Sequence, residues 1–264
     1  MTFVLALLAM LAFWSGTAAA EAPEAPAQSP PACEVPEWLL SGEGDLARVA
    51  AAIKDRHRLD ISVVGSGSSV LSGPDGARFA YPARLQEALK ELLPGNEVTV
   101  TAHVQARQTT ADMAAALGNI VAEDKPVLVI WQAGTVDALR GVEPEDFREQ
   151  LERGIDTIEA ANADVISMNM QYSPRTESML GVAPYADVMH WVIQQRGVML
   201  FDRLAIMRHW TDEGIFDLYA ATKDYAMARR VHDCIGRALA SQIITAAHLD
   251  AGKMRTTPDD VSKK

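Results

Sequence analysis

Two stretches near opposite ends of the chain carry the residue types that nucleophilic catalysis requires. Residues 61–73 read ISVVGSGSSVLSG, a β-branched apolar run that breaks off onto Gly65, Ser66, Gly67, Ser68 and Ser69. A serine hydroxyl at a strand's end, beside backbone N–H groups able to hold an oxyanion, is a setting for a nucleophile. The same composition also makes a plain connecting turn. Residues 229–237 read RRVHDCIGR and set His232 at the head of a last helix, where an imidazole can accept a serine's proton. A third stretch, Trp131-Gln132-Ala133-Gly134-Thr135-Val136-Asp137, ends another apolar run and leads into an acidic helix start.

Other chemistries find little support in these loops. The opening loop lacks the lysine of G-x-x-x-x-G-K-[ST] and does not meet G-x-G-x-x-G, so it is a poor phosphate cradle. G-x-S-x-G is absent as well. The remaining histidines, His57, His103, His190, His209 and His248, show no ligand spacing such as H-E-x-x-H, so neither a metal site nor a cofactor is expected.

These loops need a frame that brings them together. Apolar runs of strand length fall at Ile61–Val64, Val98–Val104, Val127–Trp131, Asp164–Met170 and Val198–Phe201. Between them lie helical segments at Pro82–Leu93, at Thr109–Ala122, and from Pro144, where Phe147, Leu151, Ile155 and Ile158 share one face. A closing helix at Ala226–Ala247 has Val231, Ile235, Leu239 and Ile243 in register. Strands alternating with helices imply right-handed crossovers and a parallel sheet covered on both sides. The expectation is a three-layer α/β/α sandwich of about five parallel strands, flavodoxin-like, spanning residues 41–250. Open sheets of this kind place their chemistry beyond the strands' carboxyl ends, which is where all three loops fall.

The termini speak to location. Phe3–Trp14 is an unbroken apolar run, short for a bilayer span, and Ala18 and Ala20 stand at A-x-A spacing before Glu21. The expectation is a signal peptide over 1–20, cleaved near Ala20; an uncleaved anchor is the alternative. A Pro/Ala-rich linker follows over 21–40, and a polar tail covers 251–264. The protein is therefore expected in the periplasm or outside the cell, with no integral membrane span after processing. Its two cysteines, Cys33 and Cys234, would form one bridge in an oxidising compartment. A net charge of −11 argues against nucleic acid as a partner.

The series of segments resembles the SGNH, or GDSL-like, hydrolase superfamily over about residues 58–247. The similarity is carried by Tyr81-Pro82-Ala83-Arg84-Leu85, by Val129 through Thr135, by Met170-Gln171-Tyr172-Ser173-Pro174 and by Arg203 through Trp210, which resemble a secreted bacterial branch. The resemblance implies a serine after the first strand, oxyanion-hole groups after the second and third, and an Asp-x-x-His near the end. One register puts Gly67 at the nucleophile position; a shift of two puts Ser69 there, with Ser68 beside it. Gly134-Thr135-Val136-Asp137 stands where the family has Gly-x-Asn-Asp, so Gly134 N–H remains as an oxyanion donor while Val136 cannot supply the asparagine's bond. His232 is in place, but Arg229 occupies the aspartate's position, leaving Asp233 or Asp224 to orient the ring. Losing an oxyanion donor costs about 2.7–4 kcal/mol, and losing the orienting acid roughly 10⁴-fold in rate.

Two functions follow. One is an exported serine hydrolase acting on an acyl ester, of a small molecule or an envelope glycan, with Ser69 or Ser68 as nucleophile and His232 as base. The other is an inactive descendant that binds a glycan or envelope partner through Trp131, Gln132, Asp137, Gln171 and Tyr172.

Overall fold

The structure, a computed structural model, describes residues 33–42, 44–73, 75–219 and 225–249. The N-terminal apolar run, most of the linker, Asp224 and the C-terminal tail lie outside the described residues. The strands are β1 (Arg58–Gly65), β2 (Glu97–Val104), β3 (Leu128–Gln132), β4 (Asp164–Met168) and β5 (Met199–Phe201). The helices are α1 (Glu37–Leu40), α2 (Ala47–Arg56), α3 (Gly76–Phe79), α4 (Tyr81–Leu92), α5 (Thr110–Asp124), α6 (Thr135–Arg140), α7 (Pro144–Ala160), α8 (Pro174–Met179), α9 (Ala183–Arg196), α10 (Arg203–Asp212) and α11 (Ala226–Ala246).

The five strands form one parallel sheet in the order β2-β1-β3-β4-β5, with helices on both faces. Each expected strand is present. β3, β4 and nearly all of β1 are buried, as their continuous apolar runs require of strands covered on both sides. α7 starts at Pro144 and buries Phe147, Leu151, Ile155 and Ile158, and α11 buries Val231, Ile235, Leu239 and Ile243. Each such aliphatic side chain contributes roughly 1.5–3 kcal/mol relative to exposure.

Chain order changes direction between β1 and β3, which are neighbours although β2 intervenes in sequence. At such a switch point the loops after the two strands diverge and leave a crevice. Val64 pairs with Trp131, so the chain leaves β1 at Gly65 beside Gln132 at the end of β3.

Two close contacts fix the remaining geometry. α11 lies directly on α4 at Gly236, where an added Cβ would stand 2.8 Å from the Leu85 backbone nitrogen. Cys33 and Cys234 are joined in a disulfide, tying the first described residue to α11. The packed body therefore reaches back into the stretch read as linker. α1 forms there, Leu39 is buried, and Glu34 O accepts a 2.9 Å hydrogen bond from Trp210 Nε1. Among the described residues no helix is long and apolar enough to cross a membrane.

Candidate active site

After β1 the chain makes a single 3₁₀ turn, Gly67–Ser69, that folds the serines back over the end of β3. Gly65 permits the fold: a Cβ there would lie 2.4 Å from Ser69 Oγ. Gln132 is fully buried beneath the turn, and its Oε1 gathers the donors. Ser68 Oγ lies at 3.0 Å, Ser69 Oγ at 3.2 Å, Ser66 N at 3.3 Å and Ser66 Oγ at 3.4 Å. The Ser66 amide can only donate, which assigns the carbonyl end of Gln132 to this side. Four donors share an oxygen with two lone pairs, so the loop is drawn tightly onto β3. Ser69 Oγ also meets the Tyr81 hydroxyl at 3.2 Å. With its own proton on Gln132, Ser69 accepts the phenol's. Ser66 and Ser69 are buried, and Ser68 is half-buried.

His232 lies in the second turn of α11, against the start of α4. Its Nδ1 accepts a 3.0 Å hydrogen bond from the Tyr81 backbone N–H. That amide is in the first turn of α4, where no carbonyl within the helix can receive it, so His232 caps α4 from outside. The bond fixes the tautomer: Nδ1 carries the lone pair and Nε2 the proton. Burial, and then the nearby Arg203 charge, push the imidazole pKa down to about 3. The ring is neutral at physiological pH, and its lone pair is already spent on a backbone amide.

The expected serine–imidazole hydrogen bond is not formed: none joins Ser66, Ser68 or Ser69 to His232. Tyr81 intervenes, its ring centroid 6.0 Å from the imidazole's and its hydroxyl on Ser69. Tyr81 is no substitute base, because burial holds its phenol above the ordinary value of 10, only partly offset by Ser69 and Arg203.

Among the described residues, the candidate acids are engaged elsewhere. Asp233 binds Arg84 Nε at 2.8 Å and Arg237 Nε at 3.0 Å, so its hydrogen bonds are to arginines and not to His232. Burial alone would raise its pKa, but the bonds from Arg237 and Arg84 outweigh burial and hold it below the usual value. Asp137, expected as a ligand contact, instead accepts from Thr110 N at 3.0 and 3.2 Å and from Thr110 Oγ1 at 2.8 Å. Its carboxylate serves the start of α5, where the helix leaves donors unsatisfied. Gly134 stands at the head of α6, and the Val136 side chain follows it in the buried interior. Trp131 and Tyr172 are buried, so both serve packing rather than an open ligand surface. Gln171 Oε1 accepts from Arg203 Nη2 at 3.2 Å.

Arg203 and Tyr81 were missed as site residues by sequence reasoning. Arg203 is fully buried where β5 turns into α10. Its Nη1 donates to Ser68 O at 3.1 Å, and its guanidinium lies 5.8 Å from the Tyr81 ring centroid. Burial pushes its pKa down to about 10, which still leaves it charged at neutral pH. The available signal was a charged pair, Asp202-Arg203, following an apolar strand at the sheet edge where the loops meet.

Open space lies further along the same edge. Cavities of about 450 and 440 Å³ meet at His190 and Asp202, beyond β4 and β5. There His190 Nε2 and Asp202 Oδ2 are 2.9 Å apart, and the hydrogen bond to Asp202 raises the histidine's pKa. Asp202 Oδ1 accepts from Asn169 Nδ2 at 2.7 Å. Among the described residues no group of three or more His, Cys, Asp or Glu is placed to hold a metal ion.

Comparison with known proteins agrees with the frame. The non-GDSL lipase-like family matches residues 32–249. The lipase/acylhydrolase from Enterococcus faecalis superimposes with a TM-score of 0.56 at 18% identity, covering 73% of this chain and 97% of that one. A putative lipolytic protein of the G-D-S-L family from Desulfitobacterium hafniense gives 0.54 at 14% identity, covering 70% and 99%. A catalytic mutant of Axe2, an acetylxylan esterase from Geobacillus stearothermophilus, gives 0.54 at 15% identity, covering 73% and 95%. The fold is thus that of the SGNH hydrolases. No curated protein matches the chain in sequence.

Proposed function

The chain belongs to the non-GDSL lipase-like family, and from the hydrogen bonding around its serine cluster we propose that it is an exported protein keeping the acylhydrolase frame without an assembled serine–histidine relay. Its role in this reading is to bind an acylated small molecule or envelope glycan at the sheet's carboxyl edge, with little or no hydrolysis. One observation carries the proposal: His232, the base expected for the serine cluster, gives its Nδ1 lone pair to the Tyr81 amide. A general base must present an unprotonated nitrogen to the nucleophile's proton. With Val136 in place of an oxyanion donor, the barrier rises by about 2.7–4 kcal/mol; with no acid on His232 among the described residues, the rate falls by roughly 10⁴-fold.

The cleft around His190, Asp202 and Asn169 is the better place for a ligand, since it is open while the serine cluster is closed. Export is supported by the apolar run at Phe3–Trp14, the A-x-A spacing and the Cys33–Cys234 bridge, which suits an oxidising compartment. A second reading, slow ester hydrolysis from Ser68, is favoured by that serine alone keeping some solvent access. Labelling by a fluorophosphonate probe separates the two. The expected result is no labelled serine and no turnover of a short-chain nitrophenyl ester. Labelling that disappears in Ser69→Ala or Ser68→Ala, and in His232→Ala, would establish an active hydrolase instead.

A further inference from the structure

Outside the serine cluster, on the outer side of α4 and α11, a cavity of about 430 Å³ opens beside the disulfide. It is lined by Phe79, Arg84, Arg229, Arg230, Asp233 and Arg237 together with the two cysteines. Four guanidinium groups line it with one carboxylate, Asp233, on a chain whose overall charge is −11. Clustering like charges disfavours the empty state, so the concentration of arginine here calls for a partner.

The arginines are not equivalent. Arg84 and Arg237 share Asp233 and are also drawn outward, Arg84 to Glu87 at 2.5 Å and Arg237 to Glu91 at 3.6 Å. Arg229 and Arg230 are exposed and have no carboxylate partner among the described residues. Aromatic faces hold them instead: Arg229 lies 4.1 Å from the Phe79 ring centroid and Arg230 lies 5.2 Å from that of Phe216. Stacking restrains the plane of a guanidinium while leaving its N–H edge free to donate. Residues 229, 233 and 237 follow one another at helical spacing, with 230 alongside, so the free forks and the clamped pair line the same wall. A planar fork of N–H donors matches the two oxygens of a carboxylate or phosphate.

We propose that this groove binds a small organic anion, a sugar-sized molecule carrying a carboxylate or a phosphate, with Arg229 and Arg230 as its principal contacts. The site is separate from the serine cluster and holds whether or not the protein hydrolyses esters. Calorimetric titration of the intact protein with inorganic phosphate, glucuronate and neutral glucose tests it. Phosphate, glucuronate or both bind, glucose does not, and the anion that binds identifies the preferred group. Affinity falls at least tenfold in R229Q/R230Q and weakens with added salt, while R229K/R230K retains only part of it because the fork is lost. The double variant keeps the parent's thermal midpoint; if it does not, single Arg229→Gln and Arg230→Gln proteins carry the comparison. Failure of both anions to bind, glucose binding as tightly as they do, or undiminished binding in R229Q/R230Q overturns the proposal.

Discussion

Replacing His232 with asparagine separates two roles for this side chain, a titrating base and a neutral helix cap. Asparagine Oδ1 stands close to the place of Nδ1 and can accept the Tyr81 N–H, so the cap survives while the titrating ring is removed. In the folded protein, burial and then the Arg203 charge bring the imidazole pKa to about 3, against an ordinary 6.5. Between those values the unfolded chain binds a proton that the folded chain refuses, so stability rises with pH across the window. The stabilisation is complete above pH 6.5 and is lost as the pH falls towards 3. Each pH unit is worth about 1.4 kcal/mol, so moving from pH 7 to pH 4.5 removes about 3 kcal/mol through this residue alone.

Urea denaturation of the parent and of His232→Asn at both pH values measures the term by difference, since the carboxylates titrate in both proteins. The variant starts lower at pH 7 because it leaves part of the ring's volume unfilled, but its midpoint drops less on acidification. Equal pH dependence in the two proteins would refute the reasoning. So would a ring titration near 6.5 in NMR spectra, which would return His232 to the position of a usable base.

Removing the bridge in C33S/C234S frees a loop spanning 201 residues of sequence separation. The chain-entropy ceiling for such a loop is about 5 kcal/mol, read as a lower denaturation midpoint that added reductant does not lower further; an unchanged midpoint would contradict the bridge. Asp137→Ala removes the acceptor for Thr110 N and Oγ1 and is expected to cost about 1–3 kcal/mol of stability. If Asp137→Ala left stability intact and changed only ligand binding or hydrolysis, its assignment to the fold would fail.

Much of the frame was legible because it rests on local periodicity. Continuous apolar runs such as Val127–Trp131 have to be strands covered on both sides, and Phe147, Leu151, Ile155 and Ile158 could only face a core. The site was legible as a set of loops but not as an arrangement. His232 and Tyr81 are 151 residues apart, Ser68 and Arg203 are 135 apart, and Asp137 and Thr110 are 27 apart. No short-range pattern reports such pairs. Asp137 looked like a site residue because of the Gly134-Thr135-Val136-Asp137 spacing, but the donors nearest to it belong to the start of α5.

The sequence by itself determined the five-stranded parallel frame, the edge where its loops converge and the two cysteines available for a bridge. These depend on apolar runs and helical periodicity among near neighbours and on simple counting. Only the tertiary structure decided which nitrogen of His232 is occupied, that Tyr81 separates it from Ser69, and that a buried Arg203 charges the centre of the cluster. The packing of α11 on α4 at Gly236 and the register of β1 against β3 set those contacts to within a hydrogen bond's length. At that scale, where one backbone amide sits determines whether an imidazole is a base or a cap.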